Sequence, residues 1–194
     1  MNYLAHLYLS GSNKDILIGN FIADHLKGNL RNHYDGEILK GIQLHHAIDS
    51  YTDSHPVVEV SKNRIRSRMN KYTPVVVDVY YDHFLASNWQ VFHKEGLADF
   101  AHNVYLLLEA NNHILPERTN HMLTYMRQQN WLVGYADLQH LERIFINMGR
   151  RSKFDNNMHL AVEFLQQDYD LFQSEFNLFF EDLKKMCSNY LLNA

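Results

Sequence analysis

A chain of 194 residues, 46% hydrophobic and 21% charged with 8 glycines and 3 prolines, has a globular composition and enough length for one domain with a sizeable core. A formal charge of −4 argues against a general nucleic-acid binder, and a single cysteine, Cys187, excludes an internal disulfide or a thiolate zinc cluster. No apolar run approaches the ~20 residues of a bilayer span, and "MNYLAHLYLS" lacks a basic leader and a cleavage site, so no membrane association and a cytoplasmic location are expected.

Nearly every segment reads as helix, and no run keeps the two-residue alternation of a strand. The first helix is expected in "SNKDILIGNFIADHLKG", with Ser12 or Asn13 as N-cap and Gly28 as the stop. A second runs from about Asp35 to Ser54, and Pro56 opens a third through Lys71. "TPVVVDVYYDHFLASNWQVF" has a Val-rich start, but its length, the cap Thr73 and Pro74 behind it favour a helix. Later helices are expected over 97–112, 116–130, 138–150 and 156–190. Without repeats, low-complexity tracts or linkers, the reading is a single all-α domain over residues 1–194.

Three of these segments carry polar groups among apolar neighbours. In "GIQLHHAIDSYTD", His45, Asp49 and Asp53 fall four residues apart on one helical stripe, while Ile42 and Ile48 can pack inward. The stripe reads either as a solvated face or as ligands around a cation. In "DVYYDHF", Asp78 and Asp82 are four apart with His83 adjacent, and buried carboxylates there need a metal, Arg or Lys as partner. In "GNFIADHLKGN", Asn20, Asp24 and His25 interrupt an apolar helix, and His6 stands alone in "NYLAHLYL", as a ligand or as a satisfied core residue. Nitrogen and carboxylate donors without thiolate suit Mn²⁺, Fe²⁺ or Mg²⁺ better than structural zinc. Such an ion polarises a phosphoryl oxygen and acidifies water, so the chemistry suggested is phosphate-ester hydrolysis.

The ordered series "MNYLAHLYLS", "GNFIADHLKGN", "GIQLHHAIDSYTDSHP", "TPVVVDVYYDHFLASNW", "NWLVGYADL" and "MGRRS" resembles the bacterial acyl carrier protein phosphodiesterases, from Met1 to about Ser152. The resemblance implies an all-helical, HD-domain-like phosphohydrolase, typically manganese-dependent, that removes 4′-phosphopantetheine from holo-acyl carrier protein. It marks Asp24, His45, Asp49, Asp53, Asp82 and His83, with His6 in the opening motif and Arg150 and Arg151 in a paired-arginine segment. His46 stands where family members can have arginine. On this basis His45, Asp49, Asp82 and His83 are expected to hold the metal, with His6, Asn20, Asp53 and Asp78 around them. Asp24 is expected as a further ligand or as the base that orients the attacking water. Arg150 and Arg151 would either stabilise phosphodiester charge or complement a helix C-terminus.

"SKNRIRSRMNK" places Lys62, Arg64, Arg66, Arg68 and Lys71 together with no acid inside the stretch. The row reads as a solvated face or, given the resemblance, as a docking strip for a small acidic carrier protein. The amphipathic tail "FLQQDYDLFQSEFNLFFEDLKKM" packs on the domain or pairs with a second copy in a homo-oligomer. Two other readings stay open: a phosphohydrolase for another small phosphodiester or nucleotide, and a non-catalytic carrier-binding protein.

Overall fold

The computed structural model describes residues 1–26, 28, 33–154 and 156–193, and every regular element among them is helical. In chain order these are α1 (Tyr3–Leu9), α2 (Lys14–Ile22), α3 (Gly36–Ser54), α4 (Pro56–Met69), α5 (Thr73–Ser87) and α6 (Trp89–Phe92). Then follow α7 (Leu97–Ala110), α8 (Glu117–Gln128), α9 (Trp131–Gly134), α10 (Leu138–Arg151), α11 (Ala161–Gln167) and α12 (Tyr169–Asn193). Lys27 and Asn29 of "GNFIADHLKGN", and Asp155, lie outside the described residues.

The centre of the fold is α5. Val76, Val77, Val79, Tyr80, Tyr81, Phe84 and Leu85 are all fully buried, so apolar side chains leave this helix in every direction. A helix of that kind needs cover on all sides, and α1, α4 and α12 supply it. The α12 row Phe172, Phe176, Phe179 and Phe180 is buried, with Phe172 at 5.2 Å from Tyr80 and Phe176 at 5.6 Å from Tyr81 between ring centroids. Emptying one such ring position would cost about 3–5 kcal/mol. The apolar stripe of the C-terminal segment is therefore used inside this fold. No helix among the described residues is long and apolar enough to cross a membrane.

Helices α2 and α3 approach backbone to backbone. A Cβ on Gly19 would sit 2.0 Å from the Ile38 carbonyl oxygen, and one on Gly41 would sit 2.1 Å from that of Ile16. Only glycine permits this approach, and it brings the backbone of α2 against the histidine-bearing stretch of α3.

The structure departs from the sequence-based expectations at helix ends. The opening stretch, given no helix above, forms α1, because Asn2 accepts from the Tyr3 N–H and Asp82 reaches over from α5 to its first turn. The helix expected to run to Gly28 ends at Ile22 and tightens into a 3₁₀ turn over Ala23–His25, which carries Asp24. Helix α4 stops at Met69, where Asn70 takes a positive φ of 49°. The segments 73–92 and 156–190 each break, at Asn88 and Asp168, into two helices.

Candidate metal centre

Asn20, fully buried on α2, organises the site. Its Nδ2 donates to the His6 carbonyl at 2.9 Å and to Ser10 Oγ at 3.0 Å, which fixes Oδ1 as the acceptor end. That oxygen lies 2.9 Å from His6 Nδ1 and 3.0 Å from His45 Nδ1, and the Asn20 carbonyl lies 2.9 Å from His45 Nδ1 as well. Both imidazoles therefore carry their Nδ1 protons toward Asn20, and both Nε2 atoms turn the other way. The rings stack at 4.1 Å between centroids.

Both Nε2 atoms meet Asp49, at 3.2 Å from each. The donor atoms of His6, His45 and Asp49 lie within 4.8 Å of one another, and they are the one such group of three or more His, Cys, Asp or Glu among the described residues. Asp24 adds a carboxylate oxygen 3.1 Å from His45 Nε2 from the 3₁₀ turn. Burial disfavours charge on His45, yet the bonds to Asp24 and Asp49 push its pKa up to about 9. Burial and the neighbouring His45 hold His6 down. The His45 hydrogen bond holds Asp24 below the usual carboxylate range; Asp49 is held there too, burial being outweighed by His45 and His6. Two Nε2 atoms oriented toward ionised carboxylates fit a divalent cation, which would replace the proton on His45 Nε2.

His6, Asp24 and Asp49 line one side of a cleft of about 1340 Å³, and His45 meets them from a small adjoining cavity. Acids line that side: Asp24, Asp49, Asp53 and Asp78. The other wall comes from α8 and α10 and carries Arg118, Arg143, Arg150 and Arg151, with apolar Met122, Tyr125, Ile144 and Met148 between them. Arg150 and Arg151 are thus in the same cleft as the metal-binding candidates, and Arg151 Nε also donates to the Asn147 carbonyl at 3.1 Å. The sequence reading missed Arg118 and Arg143; neither sits in a motif, and only the convergence of α8 and α10 reveals them.

A family model described as acyl carrier protein phosphodiesterase matches residues 1–183. The chain belongs to that family. It is 29% identical to the acyl carrier protein phosphodiesterase of Photorhabdus laumondii, over 97% of this chain and 96% of that protein. It is 30% identical to the enzyme of the same name from Pectobacterium atrosepticum, over 99% and 100%, and 32% identical to that of Yersinia pestis, over 78% and 79%. The family's name is that of a phosphoric diester hydrolase acting on acyl carrier protein. No solved structure matches the chain.

Within this acyl carrier protein phosphodiesterase fold, two expected metal ligands do not join the cluster. Asp82 is fully buried and accepts backbone N–H groups of Leu4 at 2.7 Å, Asn2 at 3.2 Å and Ala5 at 3.4 Å. It caps α1 from outside that helix. Burial, partly offset by the Met1 amine and these N–H groups, pushes its pKa up to about 7. His83 donates from Nδ1 to the Tyr135 carbonyl at 2.8 Å, leaving Nε2 to accept the Tyr169 hydroxyl at 2.9 Å. Neighbouring residues on a helix point ~100° apart, and here Asp82 turns to α1 while His83 turns to Tyr135 and Tyr169. His6, expected only beside the site, takes a place in the cluster instead.

Other expected site residues are engaged as well. Asp78 accepts from the Met1 amine at 3.0 Å, and Asp53 from Lys62 at 2.8 Å. His25 meets Thr119 Oγ1 at 2.8 Å, and the exposed His46 meets His45 edge-on, 5.7 Å between centroids. The basic row on α4 is not a free strip. Lys62 is buried on Asp53, Arg64 pairs with Glu175, and Arg66 pairs with Glu59. Arg68 donates to Gln167 at 2.7 Å and lies over Phe164, and Lys71 lies over Phe154. The acids absent from the stretch come from α3, from α12 and, as Glu59, from the first turn of α4.

Proposed function

We propose that this protein hydrolyses the phosphodiester that joins 4′-phosphopantetheine to the serine of holo-acyl carrier protein. The observation that carries the reading is the convergence of His6, His45 and Asp49, of which His6 and Asp49 line a cleft that also holds Arg150 and Arg151. His6, His45 and Asp49 would hold one divalent cation, Mn²⁺ before Fe²⁺ or Mg²⁺ by donor type, with Asp24 beside it. A cation bound there would polarise a phosphoryl oxygen and acidify water.

The chain's own groups divide the remaining work. Asp24, ionised and half-exposed, orients the attacking water and accepts its proton. Arg150 and Arg151 direct guanidinium donors at the phosphoryl oxygens as charge develops in the transition state. The apolar residues of α8 and α10 suit the neutral, flexible pantetheine arm. Asn20 keeps both imidazoles in the tautomer that ligation requires.

Incubation with holo-acyl carrier protein and Mn²⁺, followed by intact mass of the carrier, tests this reading. The carrier should lose the mass of phosphopantetheine less one water, and a chelator or His45→Ala should stop the loss. An unchanged carrier in metal-loaded reactions overturns the proposal; turnover of a small phosphodiester or nucleotide instead would assign the site to that substrate class, and carrier binding without turnover would make the protein a non-catalytic binder.

A further inference from the structure

The cleft holds more positive charge than one phosphodiester can use. Arg118 on α8 and Arg143, Arg150 and Arg151 on α10 all line it, and all four are exposed. Among the described residues none of the four pairs with an acid, whereas Arg64, Arg66 and Lys62 of α4 all do. Glu117 and Glu142, the acids next to Arg118 and Arg143 in sequence, do not line the cleft. Arg143 and Arg150 are seven residues apart, two turns on the same side of α10 and ~10 Å along its axis. A phosphodiester carries a single negative charge and is met by one or two guanidinium groups. Arg118 and Arg143 are left over, on a surface that opens to solvent.

The other side of the cleft offers no comparable cations. Asp24, Asp49, Asp53 and Asp78 line it, and Lys62 and the Met1 amine are held there by Asp53 and Asp78. Tyr3 lines the same cleft, where burial, reinforced by Asp24 and partly offset by Arg118 and Arg151, pushes its pKa up to about 12.

We infer that the exposed arginine face of α8 and α10, through Arg118 and Arg143, is the docking surface for an acidic carrier protein, in place of the basic row on α4. This inference rests on the carrier reading of the site. The acidic partner lies along α8 and α10, its prosthetic arm enters the cleft between the two walls, and its phosphodiester reaches Arg150, Arg151 and the cluster. Long-range attraction to the arginine face speeds encounter, and salt weakens it.

The test compares Arg118→Glu/Arg143→Glu with Arg64→Glu/Arg68→Glu in the metal-loaded full chain, with thermal melts to check that each variant folds. Steady-state kinetics on holo-carrier are run at low and high ionic strength, and binding of apo-carrier, which lacks the arm, is followed by fluorescence anisotropy. The α8/α10 pair should raise KM and weaken apo-carrier binding by about tenfold or more, leave kcat within about twofold, and flatten the salt dependence. The α4 pair should change KM by less than about threefold, as expected for cations already engaged within the fold. Unchanged KM and binding for the α8/α10 pair, or a fall in kcat at constant KM, overturns the docking assignment while the hydrolytic reading stands. Apo-carrier binding that depends on Arg118 and Arg143, in a wild-type protein that hydrolyses no carrier, upholds the surface and removes the hydrolytic reading. Absence of any carrier binding by the wild type overturns both.

Discussion

Asn20 and His45 are joined twice: the side-chain oxygen and the backbone carbonyl of Asn20 lie 3.0 Å and 2.9 Å from His45 Nδ1. The same side chain bonds His6 Nδ1 at 2.9 Å, so one amide sets the orientation of two imidazoles. Substituting Asn20 by Ala should weaken Mn²⁺ binding by about 10–100-fold. Isothermal titration of the folded variant measures this directly. An unchanged affinity would show that the rings keep their orientation without the amide.

Gly41 makes that double contact possible, since a Cβ there would meet the Ile16 carbonyl at 2.1 Å and the Asn20 nitrogen at 2.9 Å. Backbone cannot rotate out of the way as a side chain can. Gly41→Ala should therefore cost about 1–3 kcal/mol or more, which for a chain of this size lowers Tm by several degrees, at roughly 2–4 °C per kcal/mol. Gly96→Ala is the control, because its Cβ would meet only the Asp99 carboxylate, at 3.3 Å. Equal melting of the Gly41 variant and the wild type would contradict the close approach of α2 and α3.

Metal should stabilise the protein through His6, not through His83. Saturation at ~100 times Kd adds about 2.7 kcal/mol, a Tm rise of several degrees in a thermal melt. His6→Ala and His45→Ala should both abolish the rise. His83→Ala should lower the starting Tm, because the Tyr135 carbonyl and the Tyr169 hydroxyl lose their partner, and should keep the metal-induced increment. Loss of the increment in the His83 variant would return that residue to the ligand set.

Asp82 predicts a pH dependence of stability. Burial pushes its folded pKa up to about 7, above the ordinary aspartate value of about 3.9, so unfolding releases a proton between those values. The contribution is fully present below the unfolded pKa and is lost as pH rises through the folded one. Between about pH 4 and about pH 7 the wild type should therefore lose stability that Asp82→Asn, which cannot ionise, does not lose. Denaturant midpoints of the two proteins at several pH values give the difference. Parallel curves would mean that the three N–H groups of α1 keep Asp82 ionised throughout.

The helical class of the chain, the run of α3 and its stripe of His45 and Asp49 were legible from spacing, because local hydrophobic period and capping chemistry act over a few residues. So was the presence of Asp24 near the site, through its motif. His6 was visible only as a polar residue in an apolar stretch, because nothing within seven residues says that Asn20 will hold it beside His45. Asp82 and His83 share the composition of ligands, and their neighbours in sequence cannot say that one caps α1 while the other is held by Tyr135 and Tyr169.

The sequence by itself determined that this is an all-α protein whose histidines and aspartates recur at helical spacing. Tertiary structure alone decided which of them meet. Close backbone packing at Gly19 and Gly41 brought α2 to α3, pairing with Asp53 and Glu175 took up Lys62 and Arg64 of α4, and the convergence of α8 with α10 on the cleft left Arg118 and Arg143 without acidic partners among the described residues. Electrostatic and hydrogen-bond energies fall off over a few ångströms, and distances of that kind between remote residues exist only once the chain has folded.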